Sequence, residues 1–545
     1  MGTPRIVAMA LFAAVFLALG LHQAWADSPT FDEPVYVAAG VSSLTTHDLR
    51  INPEHPPLAK ALAALPSLLA HPVIPRTTAW QQGKERIYSA QFLQAQLQAG
   101  TLQRVMFLAR LVPLAEALLA GVLIYLLGRR LFGTAAGLVA ALLWWAGPLV
   151  LGLGHLDGID LPFTLSVLVV SLALVRLLEV DRDDPSVRRR LLELGLACGL
   201  AACVKDTGLL LAALAPAVVA VSGWRARRWS TLADAIGVGV VAWLLIWVVY
   251  LVIAPGQALH PGLLPHADLV GLRYLGSNDT MSGPGFLFGS YWNGGRWWYW
   301  PAVLLVKVPA TTVVLLLLAV IGLIVARRDA RRRALAALVL PAVVLAAFTV
   351  PGPRDIGARY LLPVLALWLV AAGSVVEVVP RGQTPRRYLN AAVAVLVAVS
   401  ALFTVGSNPH SIAWTMPPFR PGYRFASNSD VDWGQDFYRL LDWSKGRHPA
   451  VDYFGPRGIT SADVPGATSF VATPPSQLRG WAAVSATKLT TDDHDRLSWL
   501  RAYCPVGSIG GSILLYRFDR PPNTAAGPDR PAGPCPSGSV FSSRR

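Results

Sequence analysis

A small set of charged side chains in an apolar chain can do acid–base or anion-binding chemistry. Asp32 and Glu33 stand together in DSPTFDEPVYVAAG, and a carboxylate in that position can serve as general base toward an acceptor hydroxyl. Their structural alternative is a helix start, with Thr30 as N-cap and both acids in the first turn. Glu54 and His55 follow in a Pro-rich turn, where they can bind a metal or an anion, or simply decorate the turn. His155, Asp157 and Asp160 crowd one short connection, more charge than a polar turn needs. Lys205-Asp206 interrupts an apolar stretch, and a lysine there suits a lipid phosphate as well as it suits its neighbour Asp206. Arg110, Glu116 and Lys307 lie within apolar runs, where each either pairs between helices or snorkels. Arg296 and Trp297 sit in an aromatic run, 291–300, that reads as an interfacial belt and also suits stacking on a sugar or isoprenoid.

The elements that must position these groups are membrane helices. Of 545 residues 54% are hydrophobic and only 14% charged, against about 25% charged in a soluble domain. Mean hydropathy is +0.47. The net charge of +15 falls in short Arg clusters between apolar runs, so it marks topology and not nucleic acid. Runs near 5–25, 105–127, 134–154, 161–178, 191–205, 207–223, 231–253, 301–325, 334–350, 359–379 and 388–405 predict about eleven transmembrane helices. Clusters at Arg129/Arg130, Arg188 to Arg190, Arg225 to Arg228, Arg327 to Arg333 and Arg381 to Arg387 occupy alternate connections. The positive-inside rule then places the amino terminus in the cytoplasm and the carboxyl terminus outside, in the plasma (inner) membrane. Ala24-Trp25-Ala26 resembles a signal-peptidase site, but the preceding run is long for a signal core and reads as a retained helix.

The predicted organisation is a membrane domain over 1–405 with outside loops 26–104 and 255–300, a small α/β domain over 406–518, and a disordered tail over 519–545. In the first loop Leu58, Leu62, Leu65 and Leu69 share one face, as in a helix lying in the membrane interface. Residues 191–205 reach only about 22 Å as helix, short of a core of about 30 Å. Lys205 therefore sits in a sunken turn, which is tolerated only inside protein or beside a cavity. Segments 467–472 and 508–518 read as strands. Of four cysteines, Cys198 and Cys203 read as packing groups, while Cys504 and Cys535 lie where oxidation permits a bridge.

In order along the chain, these motifs resemble the glycosyltransferase family 39 group of GT-C membrane enzymes. That group contains the protein O-mannosyltransferases and is similar to the lipid A aminoarabinose transferase. The resemblance rests on Asp32-Glu33, Glu54-His55-Pro56-Pro57-Leu58, Asp160-Leu161-Pro162, Lys205, GRWWYWPAVLLVKVP, ARYLLP at 358–363, SNPH at 407–410 and SNSDVDWGQDFYRLLDW at 427–443. It implies inverting transfer of a sugar from a polyprenyl phosphate to an acceptor hydroxyl on a protein, glycolipid or cell-wall glycan. Asp32 would be the base, with Glu33 and Asp160 shaping the site. Lys205, Arg359, Lys307, His55 and Arg110 would face the donor phosphate or lipid; Glu54, His155, Asp157, Arg296 and Trp297 would face the acceptor or sugar. No cofactor or metal is required, although Glu54-His55 can hold a divalent ion. The expected partners are the lipid-linked sugar, membrane lipids and the acceptor. The aminoarabinose transferase type carries a lysine where His55 stands, the mannosyltransferases' MIR-type domain is absent, and the segment after SNPH is altered to SIAWTMPPFRP. The other readings are a lipid-linked-sugar transporter, which should show two similar halves, and a non-catalytic scaffold.

Overall fold

The computed structural model describes residues 3–522 except 182, 225–229, 260–261, 279–281, 381 and 493. Every predicted apolar run coincides with helix. Among the described residues seven helices are long and apolar enough to cross a membrane, or eight if the bent pair Thr134–Trp145 and Pro148–Gly154 is one span. That pair breaks by 62°, at Gly147 with Pro148 opening the second piece. The run 301–325 is likewise two helices, Tyr299–Lys307 and Ala310–Val325, parted at Pro309, because a proline lacks the N–H that continues a helix. The eleven predicted crossings also include Gly208–Ser222 and Ala310–Val325, which form as shorter apolar helices, and Val187–Val204, whose first turns carry Arg188 to Arg190 and Glu193.

Helix packing follows small residues. Leu102–Phe132 turns at Gly133, φ +108°, into Thr134–Trp145. A Cβ on Gly128 would come within 2.7 Å of the Gly137 Cα, so the backbones meet as small-residue interfaces allow. The first helix, Thr3–Ala26, joins this core through Phe16 and through Gly20 against Leu114.

The two ends of the bundle differ in chemistry. At one, Glu179 binds Arg130 (2.5 Å) and Arg333 (3.4 Å), while Glu193 binds Arg190 (3.0 Å) and Arg176 (3.4 Å). Arginines from three alternate connections thus meet on one side. At the other end lie the first loop, the 155–159 turn, the Lys205 turn and the carboxyl-terminal segment. In the first loop, helix Pro57–Ser67 leaves Leu62 and Leu65 exposed and buries Lys60 on its opposite face.

The carboxyl-terminal part divides differently from the prediction. Residues 408–437 pack into the helical core, burying Ile412, Trp414, Val431 and Trp433, so the separate domain starts later than residue 406. Its strands are β3 (Ala450–Asp452), β4 (Thr468–Ser469), β5 (Gly480–Ser485), β6 (Gly507–Ile509) and β7 (Ile513–Phe518), after the β1–β2 hairpin (Pro284–Leu287, Ser290–Asn293) of the second loop. The mixed sheet has the order β4-β3-β5-β7-β6. The stretch 508–518 is a hairpin and not one strand, turning at Gly510 and Gly511, both at positive φ. Alternation along the strands sends Val451, Ala483, Ile513 and Leu515 against Tyr88 and Phe92 of the first loop. Ala482, Val484, Leu514 and Tyr516 face Leu497 and Leu500 on the far side. The Cys504–Cys535 bridge and most of the 519–545 tail lie outside the described residues; Cys198 and Cys203 are buried free thiols.

Candidate active site

Two adjacent carboxylates have opposite surroundings. Helix Glu33–Thr46 begins after Asp32, and the Asp32 side chain makes no capping bond. Capping passes to Glu33, whose Oε2 accepts from the Thr30 backbone N–H (2.8 Å) and hydroxyl (3.1 Å). The Asp32 carboxylate, 24% exposed, instead meets Arg359 Nη1 at 2.9 Å.

From Arg359 a chain of alternating charge continues. Arg359 lies 3.8 Å from Asp160 Oδ2, and Asp160 Oδ1 accepts from Lys205 Nζ at 2.6 Å. Lys205 thus pairs with Asp160 and not with its neighbour Asp206. The lysine caps helix Val187–Val204 in a tight turn, where Gly208 is obligatory: a Cβ would lie 2.1 Å from the Ala201 carbonyl oxygen. Aromatic rings wall the cations. Arg359 stacks 4.3 Å from Trp433 and 5.0 Å from Tyr360, and Lys205 lies 5.0 Å from the same Tyr360 ring. Arg359 Nε is buried with no hydrogen-bond partner among the described residues. The cluster holds two cations for an anion and a partly open carboxylate for a proton.

A shallow cavity opens beside Asp32, lined also by Tyr36, Glu54, Glu85, Arg86 and, from the carboxyl-terminal domain, Arg457. Burial and the nearby Glu85 push the Glu54 carboxyl up to about 7. Burial, with Lys60 and Lys205 nearby, holds His55 well below the usual imidazole range, so it is neutral. Glu54 and His55 stand 3.9 Å apart. Among the described residues no group of three or more His, Cys, Asp or Glu is arranged to hold a metal ion.

Other predicted site residues are placed elsewhere. Glu33 is fully buried and grips Arg110 with both oxygens (2.8 and 2.6 Å), also accepting from the Asp157 N–H (2.9 Å). Arg110 spends its remaining donors on the carbonyls of Ala24, Asp27 and Ser28. All five guanidinium protons are engaged, so Arg110 has none for a donor phosphate, and Glu33 is a clamp and does not shape the open site. Lys307 is corrected likewise: its ammonium donates to the carbonyls of Ile412 (2.7 Å), Trp414 (2.6 Å) and Asp430 (2.5 Å). His155 is fully buried between Leu151 O and Asp27 Oδ2 (2.8 and 2.9 Å), out of reach of an acceptor. Burial works to raise the Asp27 carboxyl, but His155, Arg439 and Arg110 outweigh it and hold it below its usual value. Asp157 is buried, and burial beside Glu33 drives its carboxyl well up. Arg296 and Trp297 are exposed, and the Arg296 N–H donates to Asp355.

Sequence reasoning passed over Tyr36, Tyr360, Asp430 and Trp433. All four lie inside quoted motifs, but nothing in spacing shows that a tryptophan some seventy positions on will stack on Arg359.

Residues 95–252 match the sequence model of the family described as dolichyl-phosphate-mannose-protein mannosyltransferase. The matched segment carries Asp160 and Lys205. No curated protein matches the chain. Among solved structures, ArnT from Cupriavidus metallidurans bound to undecaprenyl phosphate is 13% identical over 94% of this chain and 98% of its own, with a TM-score of 0.49. The archaeal oligosaccharyltransferase AglB from Archaeoglobus fulgidus, in complex with an inhibitory peptide and a dolichol-phosphate, is 11% identical over 92% and 72%, also at 0.49. The S. cerevisiae protein O-mannosyltransferase Pmt1-Pmt2 complex bound to the sugar donor is 14% identical over 54% and 42%, at 0.31.

Proposed function

We propose that the protein is an integral-membrane inverting glycosyltransferase that moves a sugar from a polyprenyl-phosphate donor to an acceptor hydroxyl. The reaction takes place at the membrane face that bears the carboxyl-terminal domain, which is the extracytoplasmic face if the Arg-rich end is cytoplasmic. The acceptor is a protein, glycolipid or cell-wall glycan. The observation that carries this reading is the Asp32–Arg359–Asp160–Lys205 chain, whose last two members lie in the segment matching the mannosyltransferase family.

In the proposed step the Asp32 carboxylate takes the acceptor's proton as the acceptor oxygen attacks the anomeric carbon. The bond from that carbon to the phosphate oxygen breaks, and its electron pair leaves with the polyprenyl phosphate. Charge grows on that phosphate, and Arg359 and Lys205 are preorganised to meet it, which is where fixed cations contribute most. Asp160 keeps both cations in place between turnovers. The cavity beside Asp32 receives the acceptor.

The test is sugar transfer by purified protein in nanodiscs with a panel of radiolabelled polyprenyl-phosphate sugars, counting polyprenyl phosphate released. Release that depends on Asp32 establishes the enzyme and names the donor. Donor movement across the bilayer of sealed proteoliposomes, without release, points to a transporter. Neither activity with any donor and a range of acceptors would leave a scaffold.

A further inference from the structure

Residues 427–437 touch both halves of the Asp32–Arg359 pair from behind. On the Asp32 side they are stitched to the strand of chain leading into the carboxylate. The Phe31 N–H donates to Trp433 O (2.9 Å) and the Ser28 N–H to Gln435 O (3.0 Å). The Ser28 hydroxyl donates to Gly434 O and accepts from the Phe437 N–H, both at 2.8 Å. On the Arg359 side, Asp430 Oδ1 accepts from the Ala358 N–H (3.0 Å), and the Ser429 hydroxyl donates to Ile356 O (2.6 Å). The Trp433 ring lies under the guanidinium. Contact is so close that a Cβ on Gly357, φ +137°, would fall 2.0 Å from the Ser429 oxygen.

The segment is itself anchored at both ends. Tyr299 donates to Asp430 Oδ2 (3.1 Å), and Lys307 to its carbonyl. Toward the sheet domain, Asp432 Oδ2 accepts from the Thr487 N–H (2.9 Å), the Thr487 hydroxyl donates to Asp432 O (2.7 Å), and Ser512 donates to Asp436 (2.6 Å). These anchors account for groups that the proposed reaction does not use.

We infer that 427–437 is a brace that positions Arg359 opposite Asp32 and ties the sheet domain to the reaction centre, with Asp430 and Trp433 as its positioning residues. The inference rests on the donor-phosphate reading of Arg359. A guanidinium has several rotamers within reach of an anion, and selecting one in advance is what makes its charge useful. The Asp430 carboxylate fixes the backbone at Ala358, and the Trp433 ring fixes the plane of the guanidinium.

The test is a double-mutant cycle on full-length protein in nanodiscs, titrated with undecaprenyl phosphate. Arg359→Ala is expected to weaken binding about tenfold or more, and Trp433→Leu or Asp430→Ala about three- to tenfold. If the brace acts through Arg359, combining either with Arg359→Ala adds less than about twofold. Trp433→Phe and Asp430→Asn, which keep a ring and an acceptor oxygen, should restore most of the affinity. Full additivity, or equal losses in the conservative variants, overturns the brace while leaving Arg359 as a phosphate contact. Binding that Arg359→Ala does not change overturns the donor-phosphate reading of Arg359 and the brace with it.

Discussion

Asp32 and Glu33 are neighbours in the chain, yet one is built into the fold and the other is left available. Glu33 has both oxygens saturated by Arg110, Thr30 and the Asp157 N–H in a fully buried site. Among the described residues Asp32 has one cationic partner, with partial exposure and an open cavity beside it. The lysines divide the same way: Lys307 is saturated by three carbonyls, and Lys205 faces a carboxylate and two rings. Residue type identifies the candidates, but the number of partners separates structure from chemistry.

That contrast breaks if the clamp tolerates change. Glu33→Gln or Arg110→Met should cost about 3–5 kcal/mol, since removing one partner strands a buried charge. The expected readout is a large fall in unfolding temperature and yield. Near-normal stability in either variant would erase the distinction drawn between Glu33 and Asp32.

The lysine pair sharpens it. Lys205→Met should lower sugar transfer by about 10²–10³-fold, the scale of losing one preorganised charge-stabilising group, with unfolding little changed. Lys307→Met should do the reverse, lowering unfolding temperature while transfer by the folded fraction falls by no more than the roughly three- to tenfold expected from loosening the brace at Asp430. Equal losses of transfer in both would mean that Lys307 reaches the donor after all.

A smaller effect is expected from Glu54, whose carboxyl moves from 4.5 up to about 7. The folded protein keeps a proton there that the unfolded chain has released. Its stabilising share is therefore full below about pH 4.5 and is lost as pH rises through 7. Glu54→Gln should flatten part of the decline in unfolding temperature between pH 5 and 7, while Asp432, also pushed up to about 7, keeps its own share. An unchanged pH profile would show that Glu54 already ionises normally. Smallest of all, Trp297→Ala should leave stability within about 0.5 kcal/mol, because the ring is 73% exposed. A loss of transfer in that folded variant would restore its expected role in stacking on a sugar.

Much of this is legible in the amino-acid sequence. Apolar runs gave the helices, and arginines from three of the alternate connections meet at one end, as at Arg130, Arg190 and Arg333. The break at Lys205 was legible and a turn is there, but the helix before it runs Val187–Val204, 18 residues and longer than the apolar run that predicts a sunken turn. Partners were not legible, because hydrogen bonds between residues far apart leave no mark in spacing. Arg110 meets Glu33 across 77 positions, and Lys307 meets Ile412 across 105. Proline breaks inside the apolar runs turned single hydropathy peaks into pairs of helices. Motif 427–443 stood out as a pattern, but its contact with Arg359 depends on the tail folding back into the helical core.

The most direct measurement is the single-turnover rate of polyprenyl phosphate release by Asp32→Asn, in protein whose unfolding temperature matches wild type. The account predicts a fall of at least about 10²-fold, the lower range for loss of a general base. Release within a few fold of wild type, in folded protein loaded with donor and acceptor, would contradict it and send the search for the base to Glu54, across the same cavity.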